Sequence, residues 1–292
     1  MSPPSPGRIP VTKTPKVYVG GAFVRSESAR TFKVSDATGA FFANIPQCTR
    51  KDLRNAVEAA AKAGPGWARR SPYNRAQILY RLAEMLEARS GELVTSLVRF
   101  GAREADAARG MAVGVDRLIH YAGWADKYEQ LLGSVNPVAS AHFNFTVTEP
   151  MGVVGVIAPD SPPLLGLLSM LAPVIASGNT VVALASEKVL YPAILLGEML
   201  ATSDLPGGVV NILTGFRREL VPTFATHAHL RAVYAAAGAD ERKALRLGAA
   251  ASVKRVRFAD WSGKEWFSDS AQGLGPIRDF VELKTTWHPI GS

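Results

Sequence analysis

The feature that most constrains this chain begins at Val153. Short strand-like runs, Val153–Ile157, Thr180–Leu184, Val209–Leu213, Arg231–Ala235 and Val253–Phe258, alternate with helical stretches at Leu164–Ala176, Tyr191–Thr202, Arg217–Thr226 and Asp240–Gly248. A strand that is apolar on both faces must be covered on both, and strands joined through helices run parallel. With right-handed crossovers the pattern predicts an α/β fold, a Rossmann-like doubly wound parallel sheet. Ligands of such sheets bind beyond the carboxyl ends of the strands. No Gly-x-Gly-x-x-Gly follows any of these strands, so the usual dinucleotide fingerprint is absent.

Ahead of this region, residues 49–127 read as helices. Thr49 and Asp52 stand at cap and first-turn positions before Leu53, Val57 and Ala60, and Gly64-Pro65-Gly66 is expected to stop that helix. Ser71-Pro72 opens the next, with a stripe through Ile78, Leu82, Met85 and Leu86 that continues at Leu93 and Leu97. A third stripe runs Met111, Val115, Leu118, Ala122. Spacings of three and four mark these as core positions.

Two segments alternate with a period of two instead. "HFNFTVTEP" sets Phe143, Phe145 and Val147 against polar neighbours, and "VELKTTWHP" does the same with Val281, Leu283, Thr285 and Trp287. Each predicts a strand with one apolar face. Both lie outside the parallel pattern and are expected to form a small β-flap. A sheet that small is not stable alone, so its apolar residues are expected at an interface with another subunit.

The 292 residues carry a formal net charge of +8 and a single cysteine, Cys48. One cysteine excludes an internal disulfide and fits a reducing compartment. The opening MSPPSPGRIPVTKTP is Pro-rich with no apolar core, which reads as a disordered arm over residues 1–16 and not as a signal peptide. The run from Pro163 to Ala176 falls short of the ~20 apolar residues a bilayer span requires. A cytoplasmic protein with no membrane association is expected.

Several motifs in order, "YAGWADK", "EPMGVVGVIAPDSPP", "LAPVIASGNTVVALASE" and "DLPGGVVNILTG", resemble the N-terminal cofactor domain of the aldehyde dehydrogenase superfamily, from about Val17 to Phe258. "GPIRDFVELKTTWHP" resembles the family's C-terminal oligomerisation strand. The resemblance implies a degenerate cofactor domain at 17–128 and 150–262 and an oligomerisation flap at 129–149 and 263–292. It implies an oligomer, of this chain alone or with a full-length aldehyde dehydrogenase. The family's catalytic domain lies between these parts, where this chain has only a linker of roughly Ala259 to Gly275. The family's nucleophilic cysteine goes with it. Cys48, in "NIPQCTRKD", resembles a family surface turn and is expected to be inert.

The remaining cofactor motifs are altered. Pro159-Asp160-Ser161 matches a family loop that carries an oxyanion-binding asparagine, and losing such a donor typically costs ~10²–10³ in rate. The ribose-binding lysine of the family corresponds to Leu184, although Glu187 matches a ribose contact. After Gly215 the glycine-rich turn continues with Arg217, where close backbone approach is needed. The family's pyrophosphate turn corresponds to Tyr234-Ala235-Ala236-Ala237, without hydroxyl donors. The following general-base segment has no match. The expected cleft is therefore vestigial, lined by Ser161, Leu184, Glu187, Gly215, Arg217 and Ala237. No NAD(P), no catalytic residue and no metal are expected; His227 and His229 lack a third ligand.

The leading expectation is a non-catalytic, pseudoenzyme-like subunit with a structural or regulatory role. The resemblance also implies an alternative, a residually active NAD(P)-dependent aldehyde oxidoreductase. A third class, a basic module for an anionic polymer or nucleic acid, rests on Arg242, Lys243, Arg246, Lys254, Arg255 and Arg257.

Overall fold

The structure, a computed structural model, describes residues 13–291. Two short hairpins open it, β1 (Val17–Val19) with β2 (Ala22–Val24) and β3 (Thr31–Ser35) with β4 (Phe41–Pro46). Helices α1 (Arg50–Ala68), α2 (Pro72–Ala88), α3 (Ser90–Arg99), α4 (Glu104–Trp124) and the short α5 (Tyr128–Leu132) follow. Strands β5 (Ser134–Asn136) and β6 (His142–Pro150) lead into the alternating region. That region runs β7 (Val153–Ile157), α6 (Pro163–Ala176), β8 (Thr180–Leu184), α7 (Tyr191–Leu200), β9 (Val210–Leu213), α8 (Arg217–Thr226), β10 (Leu230–Ala235), α9 (Ala239–Ala250) and β11 (Arg255–Phe258). Two 3₁₀ turns, Glu265–Phe267 and Asp269–Ala271, then α10 (Leu274–Arg278) and β12 (Val281–Pro289), complete the described chain.

The central sheet has the order β11-β10-β7-β8-β9-β1-β2. β7 to β11 pair in parallel, and β1 joins β9 antiparallel at the far edge. The α/β expectation holds, and each parallel strand lies within two residues of its sequence-read bounds. The chain moves outward from β7 through β8 to β9, then returns to the other side of β7 for β10 and β11. The crevice at this reversal, between β7 and β10, is where doubly wound sheets receive ligands.

Three details differ from the sequence reading. α1 continues through Gly64-Pro65-Gly66 to Ala68. Pro65 forfeits one helical hydrogen bond, but the turn beyond it is fixed from outside: Trp67 is buried and its indole N–H donates to the Ile175 carbonyl at 3.0 Å. The second stripe is divided at Arg89, which bonds Glu92 and Glu198. The four N-terminal strands are three to six residues long; β1, β2 and β4 carry little period-two signal, and the alternation of β3, Phe32 and Val34 against polar neighbours, is only five residues long. Of the expected arm, residues 1–12 lie outside the described residues; Pro15 is buried and Lys13 pairs with Glu198 of α7.

β12, β6 and β5 form a separate three-stranded antiparallel sheet. Its register places Thr286 opposite Phe145, His288 opposite Phe143 and Trp287 opposite Asn144. Directly paired residues share a face. The two apolar stripes therefore lie on opposite faces: Phe143, Phe145 and Val147 on one, and Val281, Leu283, Thr285 and Trp287 on the other, of which Val281 packs into the core of this chain and is not available to an interface. Phe143 and Trp287 are 45% and 57% exposed, while Asn144 is buried and accepts a 2.7 Å bond from Asn136. The single apolar face expected per strand is thus split between two surfaces of one sheet.

Two buried polar side chains hold this sheet and the linker to the body. Asn179, in the turn opened by Gly178 at φ +84°, accepts from Gly152 N–H at 2.9 Å and donates to the Phe280 carbonyl at 2.8 Å. It thereby fixes the exit of β6 and the entry of β12. Arg117, buried on the apolar face of α4, donates to the carbonyls of Ala271, of Trp266 at 3.0 Å and of Ser268 at 3.3 Å. With Trp266 and Ala271 also buried, Ala259–Gly275 is packed onto the body and not a loose tether. Arg117→Ala strands several carbonyls and opens a void, so urea denaturation is expected to show a loss of about 3 kcal/mol. A loss within experimental error would mean the clamp contributes nothing.

A plugged crevice at the strand ends

The loops beyond β7, β8, β9 and β10 converge as such a sheet requires, and one side chain occupies their meeting point. Arg217 is the first residue of α8. Its guanidinium donates to the carbonyl of Ala158, just past β7, at 2.8 Å and to that of Ala236, just past β10, at 2.6 Å. It also makes a bidentate pair with Glu241 of α9 at 2.8 and 2.7 Å. The guanidinium therefore bridges the two strands that bound the reversal and ties α8 to α9. Burial opposes its charge, but the bonds and charge of Glu241 outweigh this and hold its pKa above the ordinary arginine value.

The anion-binding features of the crevice are satisfied internally. The backbone N–H of Arg217, one of the free donors at the start of α8, is taken by the Glu187 carboxylate at 2.9 Å. Asp160 accepts from Ser186 Oγ at 2.8 Å and faces Lys188 Nζ at 3.6 Å. Arg242 donates to the Ala237 carbonyl at 2.8 Å and pairs with Asp260. Cations and carboxylates on this rim neutralise one another, leaving little net attraction for a pyrophosphate.

The expected cleft residues are only partly brought together. Glu187 and Arg217 meet, and Arg217 and Ala237 line the part of the crevice that stays open beside the guanidinium, about 660 Å³. Leu184 is wholly buried in the core. Gly215 serves packing: a Cβ there would stand 2.5 Å from Leu220 Cδ1 and 3.0 Å from the Cys48 carbonyl oxygen. Ser161 lines a different cavity, beside α4. Sequence reading passed over Glu241 and Arg117. Glu241 lies 24 positions from Arg217, so no local spacing links them. Arg117 had a visible signal, a charge on the apolar stripe of α4 beside Leu118.

Cys48 is fully buried, not on a surface turn. Burial pushes its thiol up to about 12, despite the backbone bond to Thr214, so the thiolate form is suppressed. The basic segment is largely engaged within the fold. Arg255 pairs with Glu282, Arg257 with Asp279, and Lys254 donates to the carbonyls of Phe224 and Ala225 at the end of α8. His227 and His229 rings lie 6.1 Å apart, and no group of three metal-ligating side chains occurs among the described residues. Among those residues no helix is long and apolar enough to cross a membrane.

The strand order and the alternating helices define a Rossmann-like α/β domain. Residues 23–265 match the model of the aldehyde dehydrogenase family, and the chain belongs to that family. It is 34% identical over 255 residues to 2-hydroxymuconic semialdehyde dehydrogenase of Pseudomonas sp. (strain CF600), covering 83% of this chain and 51% of that one. It is 33% identical over 275 residues to retinal dehydrogenase 2 of Gallus gallus, covering 88% and 52%. An NAD+ complex of aldehyde dehydrogenase from Bacillus cereus superposes with a TM-score of 0.80 at 26% identity, over 84% of this chain and 50% of that one. The chain spans about half the length of the curated relatives it matches.

The crevice does not fit the dinucleotide that the fold implies. Arg217 lies across it, Glu187 holds the helix N–H, and no cationic or hydroxyl side chain stands at Leu184. Accordingly, native protein is expected to react negligibly with the thiol reagent DTNB, and denatured protein with one equivalent. Rapid labelling of the folded chain would contradict the burial of Cys48.

Proposed function

We propose that this chain acts as a non-catalytic aldehyde dehydrogenase-like subunit. It assembles with itself or with a full-length aldehyde dehydrogenase, in a structural or regulatory role. The observation that carries this reading is the Arg217 guanidinium lying across the switch-point crevice, paired with Glu241. A cofactor would have to displace a bidentate ion pair and two carbonyl bonds before it could enter. Cys48, the one thiol of the chain, is buried and far from nucleophilic character.

The three-stranded sheet supports the assembly part. β12 is paired with β6 on one side only, so its outer edge offers backbone groups for strand addition. Both faces of the sheet carry exposed apolar side chains, Phe143 and Val147 on one and Leu283 and Trp287 on the other. Such groups are covered in stable assemblies. A partner gripping the sheet from both sides fits this distribution better than one flat contact.

Native mass measurement tests the reading, on the purified chain alone and mixed with a full-length aldehyde dehydrogenase from the same cell. Assembly beyond a monomer is expected in at least one sample, and Leu283→Glu with Trp287→Glu is expected to abolish it. In a mixed complex, a partner lacking its nucleophile should leave no dehydrogenase activity. A monomer in both samples, or activity with the inactive partner, would overturn the proposal.

A further inference from the structure

The outer edge of β12 has a definite hydrogen-bonding parity. The Ile290 N–H donates at 3.0 Å to the carbonyl of Ala141, the residue that follows His142 opposite Pro289 in the register with β6. Residues that exchange such bonds alternate along an antiparallel ladder. The even-numbered residues of β12 therefore turn their backbone groups to β6, and Val281, Leu283, Thr285, Trp287 and Pro289 turn theirs outward. Two observations agree. The Val281 carbonyl is met from outside by the Arg255 guanidinium at 3.0 Å. Pro289, which has no N–H, stands where β6 needs none.

Leu283, Thr285 and Trp287 thus present three successive outward N–H and C=O sets, and β12 is exposed from Leu283 onward. Edge strands are commonly blunted by charge. Here the charges are neutralised within the chain, Lys284 by Glu149 and Glu282 by Arg255. An antiparallel strand with the same three-residue spacing pairs the whole set, and a second β12 turned about Thr285 has that spacing. Leu283 then faces Trp287 of the other copy, Thr285 faces Thr285, and Trp287 faces Leu283. On the opposite face Lys284 meets Thr286, Glu282 meets His288, and no like charges are opposed. Moving the axis to Lys284 instead sets that cation against its own copy. It also sets Trp287 against Val281, whose carbonyl Arg255 already holds.

We propose that two copies of this chain pair antiparallel along β12, with Thr285 on the twofold axis, joining their three-stranded sheets into one. The exposed Leu283 and Trp287 of each copy become cross-strand apolar pairs that cover one another. This pairing rests on the reading of the chain as an assembling subunit and names its partner, a second copy held edge to edge.

Disulfide trapping on the full chain reads the register. Across the proposed axis Lys284 and Thr286 form a non-hydrogen-bonded pair, with Cα atoms ~4.5 Å apart and within disulfide reach. Chains carrying Lys284→Cys and Thr286→Cys, co-expressed and mildly oxidised, are expected to give a crosslinked dimer. Either variant alone places its cysteines on a diagonal, ~7–8 Å apart, and is expected to crosslink little. Cys48 is buried and stays out of the exchange. Thr285→Pro removes an outward N–H and no bond to β6, so native mass is expected to fall from dimer to monomer with the far-ultraviolet circular dichroism unchanged. A dimer without the mixed crosslink, or one that persists in Thr285→Pro, would overturn the proposal. An equal crosslink in Lys284→Cys alone would overturn its register. Association only with a full-length aldehyde dehydrogenase would overturn the pairing and leave the subunit reading standing, whereas a monomer in every sample would overturn both.

Discussion

The Arg217 guanidinium is the constraint around which the rest of this molecule is arranged. A doubly wound sheet leaves a crevice where its strand order reverses, and exposed carbonyl groups face into it. Here Arg217 satisfies two of those carbonyls, one from each side of the reversal, and Glu241 neutralises its charge from α9. Removing the carboxylate would leave a mostly buried cation, and removing the arginine would leave unpaired acceptors. Each half of the arrangement makes the other necessary. The crevice is thus held together by the interactions that would have to be broken to bind a ligand there.

The same logic extends to the far side of the domain. The linker Ala259–Gly275 carries the chain from the end of the parallel sheet to β12 in a few turns. Arg117 anchors it by donating to three of its carbonyls, and Trp266 fills the space beneath. Asn179 then joins the β6–β7 turn to the start of β12. These anchors explain how β12 reaches its partner β6 after so short a connection.

The parallel sheet was legible because strands buried on both faces leave a continuous apolar record, and Val153–Ile157 and Thr180–Leu184 were read to the residue. The helix ending at Ala68 was not legible, because Gly64-Pro65-Gly66 is a local stop signal overruled by Trp67 and its bond to Ile175. Period-two alternation located β6 and β12 correctly, yet alternation says nothing of pairing register. Register alone placed Phe143 and Trp287 on opposite faces. At the crevice, the sequence pointed to Leu184 and Arg217 but not to what Arg217 does. Its partners Ala158, Ala236 and Glu241 are distant in the chain and meet only through the fold.

The most direct measurement is a calorimetric titration of NAD+ and NADP+ into the full chain, beside the Arg217→Gly variant. A guanidinium fixed across the crevice predicts no saturable binding of either nucleotide by the unmodified protein, even at millimolar concentration. Saturable binding by the unmodified protein that Arg217→Gly leaves unchanged would contradict the account, since the crevice would then be open with Arg217 in place.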